Sequence, residues 1–177
     1  MNGKIVRFLA LCCCILPKVV RFFVYDCIKN FSGTAFSELR YVLISRALKK
    51  VGTGIYIGPN VTIKNHHQLS LGSRISIHEF TYIDAYGGIE IGNDVSIAHN
   101  CTIISAAHTW SNKALPIRNN PVEIRPVSLG NNVWLGCDVR ILGGLSVGSN
   151  SIIGAGAIVT KSCENNGIYL GSPAKFI

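Results

Sequence analysis

Charge is scarce in this sequence of 177 residues, because Asp, Glu, Lys and Arg make up only 15% of it, whereas apolar residues make up 48%. This composition excludes an intrinsically disordered chain, which needs high charge and few apolar residues. Long apolar runs are also lacking. The longest, Ile5 to Leu16, is interrupted by Arg7 and is shorter than the roughly 20 residues of a bilayer-spanning helix. One globular domain with an appendage is therefore predicted.

Suitably spaced cysteines are missing as well. The seven cysteines are an odd number, and Cys12, Cys13 and Cys14 are consecutive. This spacing suits neither a disulfide framework nor a zinc motif, so we predict reduced thiols in a cytoplasmic protein. No small-residue cleavage site follows the apolar start, which argues against a secretory signal.

Acidic residues are few, nine against 17 basic ones, but the excess is uneven along the chain. Residues 1–50 hold nine basic and two acidic side chains, whereas residues 51–177 hold eight and seven. A nucleic-acid-binding protein needs its positive surface on the folded body. We therefore predict no nucleic-acid partner, and we treat residues 1–50 as a basic, apolar helical segment ahead of a domain at residues 51–177.

What the sequence does contain is a repeat of six residues. In the second half, aliphatic residues recur at that spacing at Leu129, Leu135, Ile141, Val147, Ile153 and Val159. In the first half, steps of six, six and eight make a coil of 20 residues, with aliphatic residues at Val51, Ile57, Ile63, Leu71, Ile77, Ile83, Ile91, Ile97 and Ile103. This period fits short strands joined by tight turns and does not fit a helix. It predicts an all-β parallel solenoid of triangular cross-section, with the aliphatic residues inside.

Two segments carry a family resemblance. Leu129 to Thr160, LGNNVWLGCDVRILGGLSVGSNSIIGAGAIVT, and the ending GSPAKFI from Gly171 resemble the hexapeptide-repeat acetyltransferases, in particular the maltose, galactoside and polysaccharide O-acetyltransferases. The resemblance covers residues 51–177. It implies a left-handed parallel β-helix, a homotrimer, acetyl-CoA as co-substrate and no metal. The implied acceptor is a sugar hydroxyl of a glycan, a polysaccharide or its lipid-linked precursor.

The long loop after Ile103 is the main candidate for the catalytic site. It interrupts the repeat as far as Leu129, and His108 stands near its start. Histidine titrates near neutral pH and can take a proton from an attacking hydroxyl. In the family, the histidine before this loop is the general base, and His108 matches it. The 20-residue coil predicts that His108 lies above Gly88.

The resemblance also implies a cofactor groove and an acceptor pocket. Trp134 is expected beside the pantetheine arm, and the backbone amide near Cys137 is expected to bind the developing oxyanion. Further groove residues are Ala155, Thr160, Lys161 and Lys175, with one of the two lysines near the phosphates. Acceptor contacts are assigned to Asp84, Tyr86 and Asn100, although Asp84 and Asn100 could instead bind turn amides. His78 and Tyr86 replace an asparagine and an aspartate of the maltose and galactoside enzymes, which argues against a small free sugar as acceptor.

Several alternatives stay open. An amino-sugar N-acetyltransferase would have the same cofactor half. Covalent catalysis by Cys137 is a rival to its backbone role. A gamma-class carbonic anhydrase needs histidines five residues apart, but Ile103 and Lys113 flank His108 at that spacing. A purely structural or ice-binding solenoid needs a flat, regular face of repeated polar residues, and the sequence indicates none.

The segment ahead of the solenoid has two interpretations. Residues 5–30 hold apolar residues with basic ones interspersed among them, and Pro17 divides the stretch into two helical pieces. Residues 1–30 are predicted to associate with the inner face of a membrane as an in-plane helix. The alternative is that the segment caps the open end of the solenoid. Residues 34–50 are predicted to form a separate helix on the first coil, with Thr34 as its N-cap.

Overall fold

The structure, a computed structural model, describes residues 16–177. It begins with two helices, α1 (Lys18–Ile28) and α2 (Thr34–Ser45). Pro17 precedes α1, as predicted. The prediction for α2 was wrong in two details: Gly33, not Thr34, is the N-cap, and the helix ends at Ser45. Gly33 has a φ of 110°, which a threonine adopts only with strain.

The remaining chain winds through three parallel sheets. Sheet A contains β1 (Lys50–Val51), β4 (Leu69–Leu71), β7 (Ile89–Ile91), β12 (Val127–Leu129) and β15 (Ser146–Val147). Sheet B contains β2 (Ile55–Ile57), β5 (Ile75–Ile77), β8 (Ser96–Ile97), β13 (Trp134–Leu135), β16 (Ile152–Ile153), β18 (Ile168–Leu170) and the antiparallel β19 (Lys175–Phe176). Sheet C contains β3 (Thr62–Lys64), β6 (Tyr82–Asp84), β9 (Thr102–Ile104), β14 (Arg140–Ile141) and β17 (Ile158–Val159).

This architecture confirms the parallel β-solenoid. Ile57 pairs with Ile77, and Ile63 pairs with Ile83, which is the predicted shift of 20 residues. The aliphatic residues of the repeat are buried, with the exception of the half-buried Val51. Sheet B keeps its parallel pairing as far as Tyr169, so the solenoid extends beyond Val159.

Polar side chains form a column at the corner where sheet A turns into sheet B, which differs from the flat polar face that a purely structural solenoid needs. Each member accepts a backbone N–H bond from the coil before it; the members are Ser73, Asn93, Asn131, Ser149 and Asn165. These side-chain oxygens therefore satisfy the hydrogen-bonding needs of backbone N–H groups at this corner.

The two helices cover the first coil of the solenoid. The Tyr25 hydroxyl donates to Val61 O at 2.9 Å, and the fully buried Arg40 donates from Nε to Ile57 O at 3.0 Å. Arg40 Nη1 also donates to Phe31 O at 2.8 Å. These contacts support a capping role for the described part of residues 1–50; residues 1–15 of the predicted membrane segment lie outside it.

One side of α1 stays exposed. Val19 is 79% exposed and Phe23 is 67% exposed, whereas Arg21 and Tyr25 are buried on the opposite side. Within residues 16–177, no helix has the length and apolarity needed to cross a membrane.

Candidate active site

The solenoid is interrupted by a hairpin. Ser105 is the last residue that follows the coil, because its N–H donates to Asp84 O at 3.1 Å. The chain then leaves as β10 (Ala106–His108), which pairs antiparallel with β11 (Val122–Ile124). The hairpin closes onto the coil where Arg125 N donates to Ser105 O at 2.9 Å.

This hairpin changes the predicted surroundings of His108. The coil arithmetic placed His108 above Gly88, and this was wrong, because strand pairing with Val122 carries His108 away from the coil. The base of the hairpin fits closely over Gly87. A Cβ atom on Gly87 would lie 2.0 Å from Ser105 O, so only glycine permits this approach.

The tip of the hairpin is organised by Asn120, which is only 4% exposed. Its side-chain amide donates to Asn112 O at 3.2 Å and Pro116 O at 3.2 Å, and its oxygen accepts from Asn112 N at 3.0 Å. A short 3-10 helix, Ile117–Asn119, lies within this tip. Trp110 is 71% exposed, and Lys113 Nζ lies 6.0 Å from its ring centroid.

Two predicted acceptor residues lie at the same corner as the hairpin base. Asp84 ends β6, and its carboxylate accepts from Asn65 Nδ2 at 2.7 Å and from Tyr86 N at 3.2 Å. Asp84 therefore binds a turn amide in the structure, which was the alternative to an acceptor contact. Tyr86 is 49% exposed, and His108 is exposed as well.

Three other predicted residues meet at the corner where sheet B turns into sheet C, here called corner BC. Asn100, Cys137 and Ala155 occupy this corner on successive coils. The Asn100 side-chain amide donates to the Asp138 carboxylate. Gly156 N donates to Cys137 O at 2.8 Å. The Cys137 N–H itself donates to no backbone carbonyl in the part of the chain that the structure describes.

The other predicted groove residues are spread over neighbouring surfaces. Trp134 lies on sheet B, is 51% exposed and borders a cavity of about 270 Å³. Thr160 and Lys161 follow β17 at the far edge of sheet C and are exposed. Lys175 lies on β19, beside Leu170.

One chain alone does not join these groups. Gly143 lies against Ala106 at the hairpin base. Between Cys137 and Gly143 the chain crosses the full width of sheet C. For an extended chain this corresponds to about 15 Å or more. The imidazole and the Cys137 corner therefore lie on opposite edges of sheet C within one chain.

Sequence reasoning missed the residues that support the hairpin. Ser105 accepts from Gly87 N at 2.9 Å through its side chain, and Arg125 binds Glu123 Oε2 at 2.7 Å. The position of Ser105, just before the end of the repeat, was the one available signal. No signal in the sequence indicated the role of Asn120, because the loop conformation determines its hydrogen-bond partners.

Comparison with known proteins gives consistent matches. The family described as "Bacterial transferase hexapeptide (six repeats)" matches residues 126–161. The galactoside O-acetyltransferase of Escherichia coli K12 is 32% identical over 149 residues, which are 84% of this chain and 72% of that protein.

Solved structures agree with these sequence matches. A galactoside acetyltransferase in complex with coenzyme A superimposes with a TM-score of 0.78 at 30% identity, covering 90% of this chain and 79% of that one. A maltose O-acetyltransferase from Clostridium difficile 630 gives a TM-score of 0.73 at 25% identity, covering 90% and 84%.

Proposed function

Because the chain belongs to the hexapeptide-repeat acetyltransferase family, we propose that it transfers an acetyl group from acetyl-CoA to a sugar hydroxyl, with His108 as general base. The observation that carries this proposal is the placement of His108. It is an exposed imidazole on the hairpin that interrupts the solenoid, next to the corner of Asp84 and Tyr86. Loops on a rigid scaffold are where catalytic groups concentrate.

The imidazole accepts the proton of the acceptor hydroxyl while the oxygen attacks the thioester carbonyl carbon. The C–S bond then breaks, and the imidazolium returns the proton to the departing thiolate. The backbone at β10 orients the ring, since His108 is paired with Val122. Removing such a base typically costs about 10²- to 10⁴-fold in rate.

Charge that develops on the carbonyl oxygen needs a preorganised donor. The Cys137 N–H at corner BC is suited to this role, because its neighbours Gly136 and Asp138 already donate to Ile153 O and His99 O. A free backbone N–H on a rigid solenoid corner needs no reorganisation during the reaction.

The groove residues fit a coenzyme A thioester. The exposed Trp134 ring offers an apolar surface for the pantetheine arm. The small side chain of Ala155 leaves space at corner BC for the thioester. Lys161 and Lys175 are exposed cations for the phosphates. Trp134 and Lys161 lie on different sheets, so binding requires a cleft that a second chain completes.

A homotrimer supplies that cleft. Three parallel prisms packed side by side bring the hairpin edge of one chain to corner BC of the next, which joins the two halves of the site. Exposed apolar groups on the hairpin suit such packing: Ile117 is 62% exposed and Ile124 is 61% exposed.

The acceptor is a glycan, a polysaccharide unit or its lipid-linked precursor at the cytoplasmic face of a membrane. Support comes from the exposed apolar side of α1, which carries Val19 and Phe23 beside Lys18. Aromatic and aliphatic groups next to basic ones are what an in-plane membrane helix requires.

The test is a thiol-release assay with acetyl-CoA and a panel of nucleotide sugars, lipid-linked glycans, polysaccharide fragments and amino sugars. The expected result is turnover with a hydroxyl acceptor and a loss of at least about 100-fold in His108→Ala. The matched control is His67→Ala, since His67 is an exposed imidazole on the 3-10 helix His66–Gln68, at the same corner but one coil below Tyr86. Full activity in His108→Ala would refute the role of His108. Turnover confined to amino sugars would favour N-acetylation.

A further inference from the structure

Corner BC brings together three side chains that are distant in the sequence. His99 lies on one coil, and Cys137 and Asp138 lie on the next. The backbone holds them in register, because Asp138 N donates to His99 O at 3.1 Å. Asn100 and Asp138 both have a φ near +60°, so the two turns have the same shape and stack.

The potential ligand atoms of these side chains converge. One imidazole nitrogen, the Cys137 sulfur and one Asp138 carboxylate oxygen all lie within 4.8 Å of one another. Within residues 16–177, no other three side chains of His, Cys, Asp or Glu meet this condition. We propose that His99, Cys137 and Asp138 form a binding site for one thiophilic divalent metal ion of the zinc class.

The donor set selects the class of metal. Zinc binds thiolate, imidazole and carboxylate ligands at about 2.0 to 2.3 Å, in tetrahedral geometry. Such bond lengths put the ligand atoms under about 4 Å apart, so only small side-chain rotations are needed here. A set with a thiolate and an imidazole favours zinc, cobalt or copper over magnesium and calcium. Three protein ligands leave the fourth position open.

Of two side chains next to this site, one favours metal binding and the other opposes it. The Asn100 amide donates to the Asp138 carboxylate and orients it, as hydrogen-bond partners of metal ligands do. Against binding, Arg140 Nη2 lies 3.8 Å from Asp138 Oδ1. Both side chains are partly exposed, at 34% and 47%, so solvent screens the repulsion between Arg140 and the ion.

Metal binding takes the proton from the Cys137 thiol and releases it to solvent, so affinity rises with pH. The consequence for activity rests on the proposed function. If the Cys137 amide serves the thioester oxygen, an ion held by the Cys137 sulfur occupies the space that the thioester needs. The metal then acts as a reversible inhibitor that competes with acetyl-CoA.

The test is a titration with Co²⁺, whose bond to a thiolate gives a charge-transfer band in the near ultraviolet. The full chain is used with Cys12, Cys13 and Cys14 replaced by serine, because these cysteines would give a band of their own. In this background we compare Cys137→Ser, His99→Ala and Asp138→Asn. The matched controls are Cys27→Ser, which removes an exposed cysteine of α1, and His78→Ala.

The expected result is a thiolate band that saturates at one Co²⁺ per chain and that Zn²⁺ abolishes. Cys137→Ser loses the band, and His99→Ala and Asp138→Asn weaken Co²⁺ affinity about 10-fold or more, whereas both controls behave as the background does. A background protein without a band, or a band that survives in Cys137→Ser, would overturn the proposal.

A second arm separates this proposal from the proposed function. A thioether analogue of acetyl-CoA, which has no free thiol, is added to the Co²⁺-loaded protein and is expected to remove the band. An analogue that binds while the band persists would overturn the inhibitory role. An analogue that fails to bind the metal-free protein would contradict the proposed function, and the Co²⁺ titration would still decide the metal site.

Discussion

At the scale of single residues, the capped end of the solenoid holds two basic side chains in unusual surroundings. His66 lies beneath α1, with its ring centroid 4.7 Å from that of Phe22. Burial, with the nearby positive charge of Lys18 and a contribution from His67, lowers the pKa of His66 from 6.5 to about 4. Arg40 is fully buried between α1 and the first coil.

His66 makes stability depend on pH. Between about pH 6.5 and 4, the unfolded chain binds a proton at this position and the folded chain does not, so stability falls as the pH falls through this window. The expected loss is roughly 1 to 2 kcal/mol, because solvent screens the half-buried ring. Urea unfolding at pH 7 and pH 4 measures it. His66→Phe should reduce the difference between the two pH values, and His108→Ala, which removes an exposed imidazole on the distant hairpin, should leave it unchanged; equal differences in all three proteins would contradict this role.

Arg40 joins the end of α1 to the first coil, because its guanidinium donates to Ile28 O, Phe31 O and Ile57 O. Arg40→Met should lower the free energy of unfolding by about 3 to 5 kcal/mol, because the buried Ile57 O and the part-buried Phe31 O lose a charged donor. The control is Arg74→Met. Arg74 pairs with Asp94 at 2.6 Å but is exposed, so its loss should cost under about 1 kcal/mol. Similar losses for both variants in chemical denaturation would show that burial of Arg40 adds nothing.

At the scale of elements, α1 has two different sides. Its inner side holds Tyr25 against Val61, so deleting residues 1–30 would remove part of the cap together with any membrane contact. A test of membrane binding therefore needs substitutions on the outer side alone.

The double variant Val19→Ser, Phe23→Ser should lose binding to vesicles that contain anionic lipid, because it removes the two most exposed apolar groups of α1. Each removed group contributes about 1 kcal/mol or more at an interface, so at least a 10-fold weaker partition is expected. Leu142→Ser is the control, since Leu142 is 39% exposed on the solenoid. Co-sedimentation measures binding, and thermal unfolding checks that the cap is intact. Unchanged sedimentation of the double variant would contradict membrane contact through α1.

At the scale of the whole molecule, the two halves of the proposed site lie on opposite edges of sheet C. His108 is on the hairpin edge, and Cys137 and Ala155 are at corner BC. A site assembled between chains has a consequence that a site within one chain lacks: two inactive variants can complement each other.

We expect complementation between His108→Ala and Ala155→Trp, each inactive alone, after they are unfolded and refolded together. In a random mixture of trimers, about a quarter of the clefts combine an intact His108 with an intact Ala155 from different chains. Thiol release should therefore recover to about that fraction of the unmodified activity. No recovery, with mixed trimers shown by mass spectrometry, would place the whole site within one chain.

The solenoid and its core could be predicted from the sequence alone, because a six-residue period is a local property. Each aliphatic residue of the repeat points inward whatever happens elsewhere, and the residues four places after them, such as Val139 and Ala157, are buried as well. The long interruption after Ile103 was equally visible, since it is where the period stops.

The surroundings of the site, in contrast, depend on contacts that form only in the folded chain. The period ends at Ser105, so arithmetic on the coil could not foresee that β10 would pair with β11 and carry His108 outward. The corner of His99 and Cys137 depends on how two coils stack across that insertion, and the capping contacts of Arg40 depend on where the helices dock. These are contacts between distant parts of the chain, and no local pattern encodes them.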